Sequence, residues 1–395
     1  MSETRLYQAP GFASGLLLVY LMLVGAGIVM VFSATAFGGL ESGVAGSAST
    51  AKLVAYAQHV VVALLALLLA TFIPLRFVEA HCGKLFFAVG IVLMALVLVF
   101  GQNVNNSTRW ITIGMRFQPG EFAKVAFCVW LAYNVGTKDD RLSASIKDGL
   151  VPNVAAGAIL FVLFLLQPDL GSTIVLSVVM LALLYIGGSS KKSIAVVMAI
   201  FGSAGAAAIY FSDNRTERFL AWLAPEAYKD ALGGAQLHQS VTTVASGGLF
   251  GRGLAQGPQN IAGSIPESHT DFIYSILTEE FGAVGSILLI SAFIYLLYAG
   301  IKVSLRHTDK FKRYMGISLS LLIALHAGVH ICVASGAFPT KGITLPFISW
   351  GGSSLVAMSA AVGLILNLSR GDGEVALVHE VTSEGGDAVY VRAEP

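Results

Sequence analysis

The run GLLLVYLMLVGAGIVMVFS at residues 15–33 contains no charged side chain, and its length decides the fold class. A helix needs about 18 or more apolar residues to cross the hydrocarbon core of a bilayer, where every backbone polar group must be satisfied internally. Ala34-Thr35-Ala36 follows it and imitates a signal-peptidase site. The run is nevertheless longer than the about 7 to 15 residues of a usual signal core, so we expect it to remain as a membrane-spanning helix.

Further apolar runs of similar length follow along the whole chain, and they extend the same prediction. Candidate spans lie near residues 14–36, 52–75, 83–100, 119–136, 149–166, 172–189, 192–211, 282–303, 314–335 and 347–369. The sequence therefore predicts an all-α polytopic integral membrane protein with about ten transmembrane helices.

Composition supports a membrane protein and argues against other classes. The chain has 395 residues, of which 55% are hydrophobic and 12% charged, whereas a soluble domain has roughly 25% charged residues. A net charge of +1 gives no basic surplus, so we expect no nucleic-acid partner. Cys82, Cys128 and Cys332 are odd in number and far apart, which predicts neither a disulfide framework nor a zinc site.

The distribution of Lys and Arg predicts how the chain is oriented in the membrane and on which side its non-spanning segments lie. With the N-terminus inside, the inner segments carry roughly twice as many Lys and Arg residues as the outer ones, as cytoplasmic loops do. We expect a cytoplasmic N-terminus (1–13), a transmembrane domain (14–369) and a flexible cytoplasmic tail (370–395). A long extracytoplasmic loop at about 212–270, between helices seven and eight, is rich in Gly, Gln, Pro and aromatic residues, and loops of this kind often carry function.

Charged residues at the edges of spanning helices are costly, so each is a functional candidate. Arg109 precedes a helix start at Pro119 that carries Glu121 and Lys124, and the alternative for these two is a plain i, i+3 ion pair. Gln167 and Asp169 lie between two helices, where we favour helix capping by Asp169.

Two further clusters lie in or beside the long loop. Ser246 to Gly253 is rich in glycine and contains Arg252, so it could cradle an anion on backbone amides or form a tight turn. Glu267, His269 and Asp271 then crowd together before an apolar helix. Capping by Thr270 or Asp271 is the alternative to a chemical role for Asp271.

The last polar features lie in the final two predicted helices and before them. Lys341 is a lone outer cation between Pro339 and Pro346, in a segment of small residues that suits a bound headgroup or close helix packing. His326 and His330 are four residues apart and could face one metal ion. We favour a packed or hydrogen-bonded histidine pair, because no Glu of a His-Glu-x-x-His pattern lies between them.

Together these clusters resemble the SEDS family (shape, elongation, division and sporulation), the polytopic enzymes that polymerise lipid II into peptidoglycan glycan strands. The resemblance spans roughly residues 14 to 369. It rests on Arg109-Trp110, Phe117-Gln118-Pro119 with Glu121 and Lys124, Gln167-Pro168-Asp169-Leu170-Gly171, Ser246 to Gly253, Pro266-Glu267, His269-Thr270-Asp271-Phe272-Ile273, Glu279-Glu280, and Pro339 to Ser354.

Within the family, Pro339-Thr340-Lys341-Gly342 resembles the division-type rather than the elongation-type branch. Some positions depart from the family pattern: Gly120 stands for the usual Ser, Trp350 for Tyr, and His326 and His330 for a Gln and a later Asn. The departures on helix nine affect the assignment of the branch more than that of the family.

The resemblance implies an inverting peptidoglycan glycosyltransferase at the bacterial cytoplasmic membrane, acting on lipid II at the division septum. Asp271 matches the catalytic acid of the family and suits a general base, because burial beside apolar helices would raise its pKa. The substrate-binding candidates are Arg109, Glu121, Lys124, Gln167, Asp169, Arg252, Glu267, His269, Lys341 and Ser353.

The resemblance also implies partners: a class B penicillin-binding transpeptidase and other divisome membrane proteins. The sequence specifies no cofactor, and a divalent cation such as Mg²⁺ or Mn²⁺ would suit a diphosphate leaving group. The alternatives are an elongation-type polymerase, a lipid II flippase and a divisome scaffold.

Overall fold

The computed structural model describes residues 10–36, 45–104, 107–113, 115–137, 149–229, 231–258, 267–370, 378–382 and 388–392. Most of these residues are helical. The helices in chain order are α1 (Pro10–Ala36), α2 (Ala45–Phe72), α3 (Leu75–Phe77) continuing through a π-helical segment (Val78–Phe86) into α4 (Phe87–Phe100), α5 (Pro119–Thr137), α6 (Val151–Leu166), α7 (Leu170–Ile186), α8 (Lys191–Tyr210), α9 (Asp213–Leu223), α10 (Leu232–Ser246), α11 (Ile273–Ser304), α12 (Lys310–Ala334) and α13 (Gly352–Arg370).

The lengths of the apolar helices confirm a multi-pass membrane protein. In the described part of the chain, 6 helices are long and apolar enough to span a bilayer, or up to 7 if the pair bent by 55° across α3 and α4 is one span. The helices α6 and α7 are apolar but shorter. A helix lies at each of the predicted positions, and the count of ten spans stays a prediction.

The core forms where helices approach closely at small residues. The helix α2 packs along α13, and a Cβ at Gly363 would overlap the Leu67 carbonyl oxygen. The helix α12 packs against both α5 and α11. The most buried spans are α12 and α13, whereas α8 keeps most of its side chains exposed, as a lipid-facing helix does.

The expected eighth helix begins earlier than the prediction of residue 282. It starts at Ile273, and its backbone breaks at Gly282, where φ is 67° and ψ is −164°. Only glycine adopts such an angle readily. The amides of Ala283 and Val284, which the break frees, donate to the carbonyls of Gly248 (2.9 Å) and Leu249 (3.1 Å) in the glycine-rich turn.

Strands and additional helices correct the all-α expectation in three segments. A three-stranded antiparallel sheet, β1 (Gln102–Val104), β2 (Ser107–Ile113) and β3 (Met115–Phe117), precedes α5, and Ile111 pairs with Phe117. The predicted loop at 212–270 contains α9 and α10.

The third segment is the tail, which we expected to be without regular structure. It contains an antiparallel pair, β4 (Val378–Thr382) and β5 (Ala388–Arg392), in which Glu380 pairs with Tyr390. A flexible, cytoplasmic tail stays a prediction. Both strands contain valines, which are enriched in strands.

Candidate active site

Asp271 lies just before α11, at the point where the preceding loop meets the apolar helix bundle, and it is partly buried. The residue in the N-cap position of α11 is Phe272, which makes no side-chain cap hydrogen bond. The Thr270 hydroxyl donates instead to the Glu267 carbonyl at 3.0 Å. The capping alternative for Thr270 and Asp271 is therefore wrong, and no described residue hydrogen-bonds to the Asp271 carboxylate.

The turn before α13 holds the backbone on either side of Asp271. The Ser349 hydroxyl donates to the Thr270 carbonyl at 2.6 Å and accepts from the Leu345 amide at 2.8 Å. The Trp350 amide donates to the His269 carbonyl at 2.8 Å. Because these hydrogen bonds hold the backbone that precedes Asp271, they also restrict the position of its carboxylate.

Gly342 lies directly against the carboxylate. A Cβ at this position would be 3.1 Å from Asp271 Oδ2, a distance that forces one of the two groups to move. The absence of a side chain at Gly342 therefore lets the segment that carries Lys341 close over Asp271.

Burial is the main influence on the Asp271 carboxyl, and it raises its pKa to about 7. The Glu267 carboxylate raises the pKa further, whereas the Arg109 and Arg218 guanidiniums lower it. A carboxyl with a pKa near neutrality is a competent general base at the pH of a cell surface.

Lys341 is a cation whose pKa is also shifted towards neutrality by burial. Burial lowers the pKa of its ammonium to about 8, and the Asp169 carboxylate opposes that shift. Its charge is thus maintained at neutral pH and lost slightly above it. A partly desolvated cation of this kind interacts strongly with a negative group.

Asp169 caps α7, as the sequence predicts. Its Oδ1 accepts from the Ser172 amide at 3.0 Å, and its Oδ2 accepts from the Ser172 hydroxyl at 2.7 Å. Burial alone would raise the pKa of this carboxyl, but Arg109, Lys124 and the Ser172 hydrogen bonds lower it overall. Asp169 is therefore a permanent anion close to the site.

Arg109 and Gln167 connect the β-sheet to the turn before α7. The guanidinium of Arg109 donates to the carbonyls of Gln167 (2.7 Å from Nε) and Pro168. The buried Gln167 amide donates to the Met94 carbonyl at 3.0 Å. A substrate contact by Gln167 stays a prediction, since its side chain has this internal partner.

Glu121 and Lys124 form the predicted i, i+3 ion pair inside the bundle. Lys124 Nζ lies 2.8 Å from Glu121 Oε1 and 3.4 Å from His326 Nδ1, and the lysine side chain is fully buried. Ser353 is also internal, because its hydroxyl accepts from the Gln118 amide at 2.9 Å. For Glu121, Lys124 and Ser353 the described contacts are with protein, and substrate binding stays a prediction.

The glycine-rich cluster forms a tight turn against the break in α11. The amides of Arg252 and Gly253 donate to the Glu279 and Glu280 carbonyls at 2.8 and 3.0 Å. These amides are therefore occupied, which argues against the anion cradle. The exposed Arg252 side chain donates to the Ser246 carbonyl at 2.8 Å, and its predicted contact with substrate stays untested.

The histidines near the site have different neighbours. His269 lies edge-on to the Trp350 ring, with 6.1 Å between ring centroids. His326 and His330 contact separate partners through Nδ1, and no third metal-ligating side chain joins them within the described residues.

Arg218 is the member of the site that sequence reasoning missed. It lies on α9 and interacts electrostatically with both Asp271 and Arg109. The signal was present in the Asp213–Leu223 stretch, whose charged residues repeat at helical spacing inside a segment that we interpreted as loop.

Comparisons with known proteins agree with this architecture. The model of the FtsW/RodA/SpoVE family, described as cell cycle protein, matches residues 14–373. A probable peptidoglycan glycosyltransferase FtsW of Trichlorobacter lovleyi is 37% identical over 294 residues, which cover 72% of this chain and 74% of that protein. Stage V sporulation protein E of Bacillus subtilis is 36% identical over 293 residues, which cover 73% and 79%.

Solved structures share the fold. A chain from a peptidoglycan synthase complex that coordinates polymerization and crosslinking superposes with a TM-score of 0.75 at 26% identity, covering 91% of this chain and 98% of that one. The rod shape determining protein RodA of Thermus thermophilus superposes with a TM-score of 0.65 at 24% identity, covering 93% and 98%. The length and identity of these matches show that this chain belongs to the FtsW/RodA/SpoVE family of cell cycle proteins.

Proposed function

We propose that this chain is a division-type peptidoglycan glycosyltransferase that polymerises lipid II, with Asp271 as its general base. The carrying observation is a carboxylate with its pKa raised to about 7, held at the edge of the bundle without a structural hydrogen-bond partner among the described residues. Its relatives are named as probable peptidoglycan glycosyltransferases of the FtsW type, which supports the same activity and branch.

The reaction requires one base. The donor sugar already carries a diphosphate leaving group, so no acid has to protonate it, unlike in glycosidases with paired carboxylates. Asp271 takes the proton from the acceptor 4-hydroxyl as the new bond forms between that oxygen and the anomeric carbon. The bond from that carbon to the diphosphate oxygen breaks on the opposite face, so the configuration inverts.

The departing diphosphate needs positive charge near Asp271. Arg109 and Arg218 both act on the Asp271 carboxylate, and Lys341 precedes the Gly342 that touches it. These three cations are the best-placed groups for charge stabilisation, whereas Arg252 is bound to the turn beside Glu279. A Mg²⁺ or Mn²⁺ ion would fit as a companion of the diphosphate, since such ions bind one or two carboxylates together with phosphates.

The membrane setting follows from the substrate. The lipid tails of lipid II remain in the bilayer while its headgroup enters the site, so we place Asp271 at the extracytoplasmic ends of ten spanning helices. In this topology, residues 1–13 and the tail after Arg370 are cytoplasmic. The division branch further places the protein at the septum, where it works with a class B penicillin-binding transpeptidase and other divisome membrane proteins.

The break in α11 at Gly282 and the 55° bend across α3 and α4 would also suit a lipid II flippase, because transporters often use broken helices. Two assays of the purified full chain separate the functions: polymerisation of lipid II with and without the transpeptidase partner, and transbilayer movement of lipid II in sealed proteoliposomes. Glycan strands on a gel support the polymerase. Transbilayer movement of lipid II without glycan strands indicates a flippase. The absence of both activities indicates a scaffold.

A further inference from the structure

His326 and His330 form a buried polar site on α12 that the reaction described above does not use. Both side chains are 1% exposed, and they lie one helical turn apart. Each ring has a defined partner at Nδ1, whereas each Nε2 is buried without a hydrogen-bond partner among the described residues. Buried polar atoms are rarely left in this state.

The partners at Nδ1 fix the tautomer of each ring. Lys124 Nζ is 3.4 Å from His326 Nδ1, and because an ammonium only donates, this Nδ1 accepts and the proton resides on Nε2. The Ile343 carbonyl is 2.6 Å from His330 Nδ1, and because a carbonyl only accepts, this Nδ1 carries the proton and Nε2 has a lone pair.

The two unpartnered atoms are therefore a donor and an acceptor. A metal ion would need a lone pair on both Nε2 atoms, and His326 does not offer one, so the metal alternative does not fit this pair. A single water molecule would satisfy both atoms, since it can accept from His326 and donate to His330 at the same time.

The position of Ile343 connects this pair to catalysis. Ile343 follows Gly342, whose Cα faces Asp271 Oδ2, and Gly342 follows Lys341. The bond from His330 therefore holds Ile343, the residue next to the Gly342 that lies against Asp271. The other histidine, His326, contacts Lys124, which forms an ion pair with Glu121 on α5.

We propose that His326 and His330 bind one buried water molecule, and that this bridged pair is a positioning device that holds Gly342, and with it the segment that carries Lys341, against Asp271. The inference rests on the proposed polymerase function for its catalytic consequence. The water site itself and the tautomers do not depend on that function.

The first test uses the full chain in nanodiscs with ¹⁵N-labelled histidine. Imidazole nitrogen shifts should give the Nε2–H tautomer for His326 and the Nδ1–H tautomer for His330, with magnetisation transfer from the His326 Nε2–H to a slowly exchanging water. An Nε2–H tautomer at His330, or a shift of both Nε2 signals on adding Zn²⁺, would overturn the site whether or not the chain polymerises lipid II.

The second test measures lipid II polymerisation against pH in the presence of the transpeptidase. His330→Phe keeps a ring but loses the donor to Ile343, and we expect kcat to fall by ~10- to 100-fold, as small displacements of catalytic groups do. Because segment 341–343 would no longer cover Asp271, the acidic limb of the pH profile should also move to lower pH. Glu267, Arg109, Arg218 and Asp169 still face the carboxylate in this variant.

Tyr56→Phe is the matched control, since it also removes buried hydrogen bonding to the turn before α13, which the Tyr56 hydroxyl donates to the carbonyls of Phe347 (3.2 Å) and Ile348 (3.3 Å). The acidic limb should stay in place in this control. His330→Asn, which can still donate, should recover part of the lost rate. An unchanged acidic limb in His330→Phe, or an equal shift in Tyr56→Phe, contradicts a positioning role, and the parental activity in the same assay separates this outcome from failure of the proposed function.

Discussion

Two groups of charged residues occupy the same bundle and differ in how their charges are satisfied. Around Glu121 and Lys124, the ammonium is fully buried and bonded to one carboxylate and one imidazole. Around Asp271, the residues are partly exposed, and the carboxylate is influenced by Arg109, Arg218 and Glu267 without a described hydrogen bond. The first group is internally satisfied, and the second retains capacity for a ligand.

The difference shows that charge in an apolar setting does not by itself identify a functional residue. A buried ion pair whose partners saturate each other mainly specifies how helices pack. A carboxyl that is buried without a saturating partner keeps a raised pKa, and this shift is what equips it for proton transfer.

Replacing each of two acids close to the site, Asp271 and Asp169, should give the largest contrast. Asp271→Asn keeps the shape but cannot accept a proton, so we expect lipid II polymerisation to fall by ~10² to 10⁴ with the thermal unfolding midpoint unchanged. Asp169→Asn is the control, because Asn still caps α7 and should retain most of the rate. Near-parental polymerisation by Asp271→Asn would make Glu267 or Asp169 the next candidate base.

Removing the charge of Lys341 should give the second-largest effect. Lys341→Met keeps the apolar stem and removes the charge, and we expect polymerisation to fall by ~10²-fold, as when one charge-stabilising donor is lost. The measurement is initial rate against lipid II concentration with the partner present. Full activity would reduce Lys341 to a marker of the division branch.

Breaking the buried Glu121–Lys124 ion pair should lower the stability of the protein. Lys124→Met leaves Glu121 buried without its cation, which should lower the free energy of unfolding by about 3–5 kcal/mol. Replacing both residues by Leu should recover most of that loss in detergent unfolding. If the double variant is as unstable as the single one, the pair is more than a packing element.

Sequence reasoning identified the class of fold because length and apolarity of a run are local properties. Asp169 as a cap and the Glu121–Lys124 pair were also accessible, since both depend on residues three apart. The sheet before α5 and the break at Gly282 were not, because they depend on partners such as Gly248 that are distant in sequence. Arg218 was missed because the helix that carries it was interpreted as loop, and because its relation to Asp271 exists only after folding.

Deletion of the C-terminal tail should have the smallest effect on polymerisation. Deletion after Arg370 removes β4 and β5, which among the described strands pair with each other, so we expect unchanged polymerisation. A reporter fused at Pro395 should be active only in the cytoplasm. Reporter activity on the outer side would mean that the number of spans is odd.

The pH dependence of kcat/KM for lipid II tests the role of Asp271 most directly. The base must be deprotonated, so the rate should rise about tenfold per pH unit up to about 7, the pKa to which Asp271 is raised. It should fall above about 8, where Lys341 loses its proton, and this basic limb should vanish in Lys341→Met. An acidic limb at the ordinary carboxyl value of about 3.9, or a rate that is flat between about pH 5 and 7, would contradict the assignment of Asp271 as the general base.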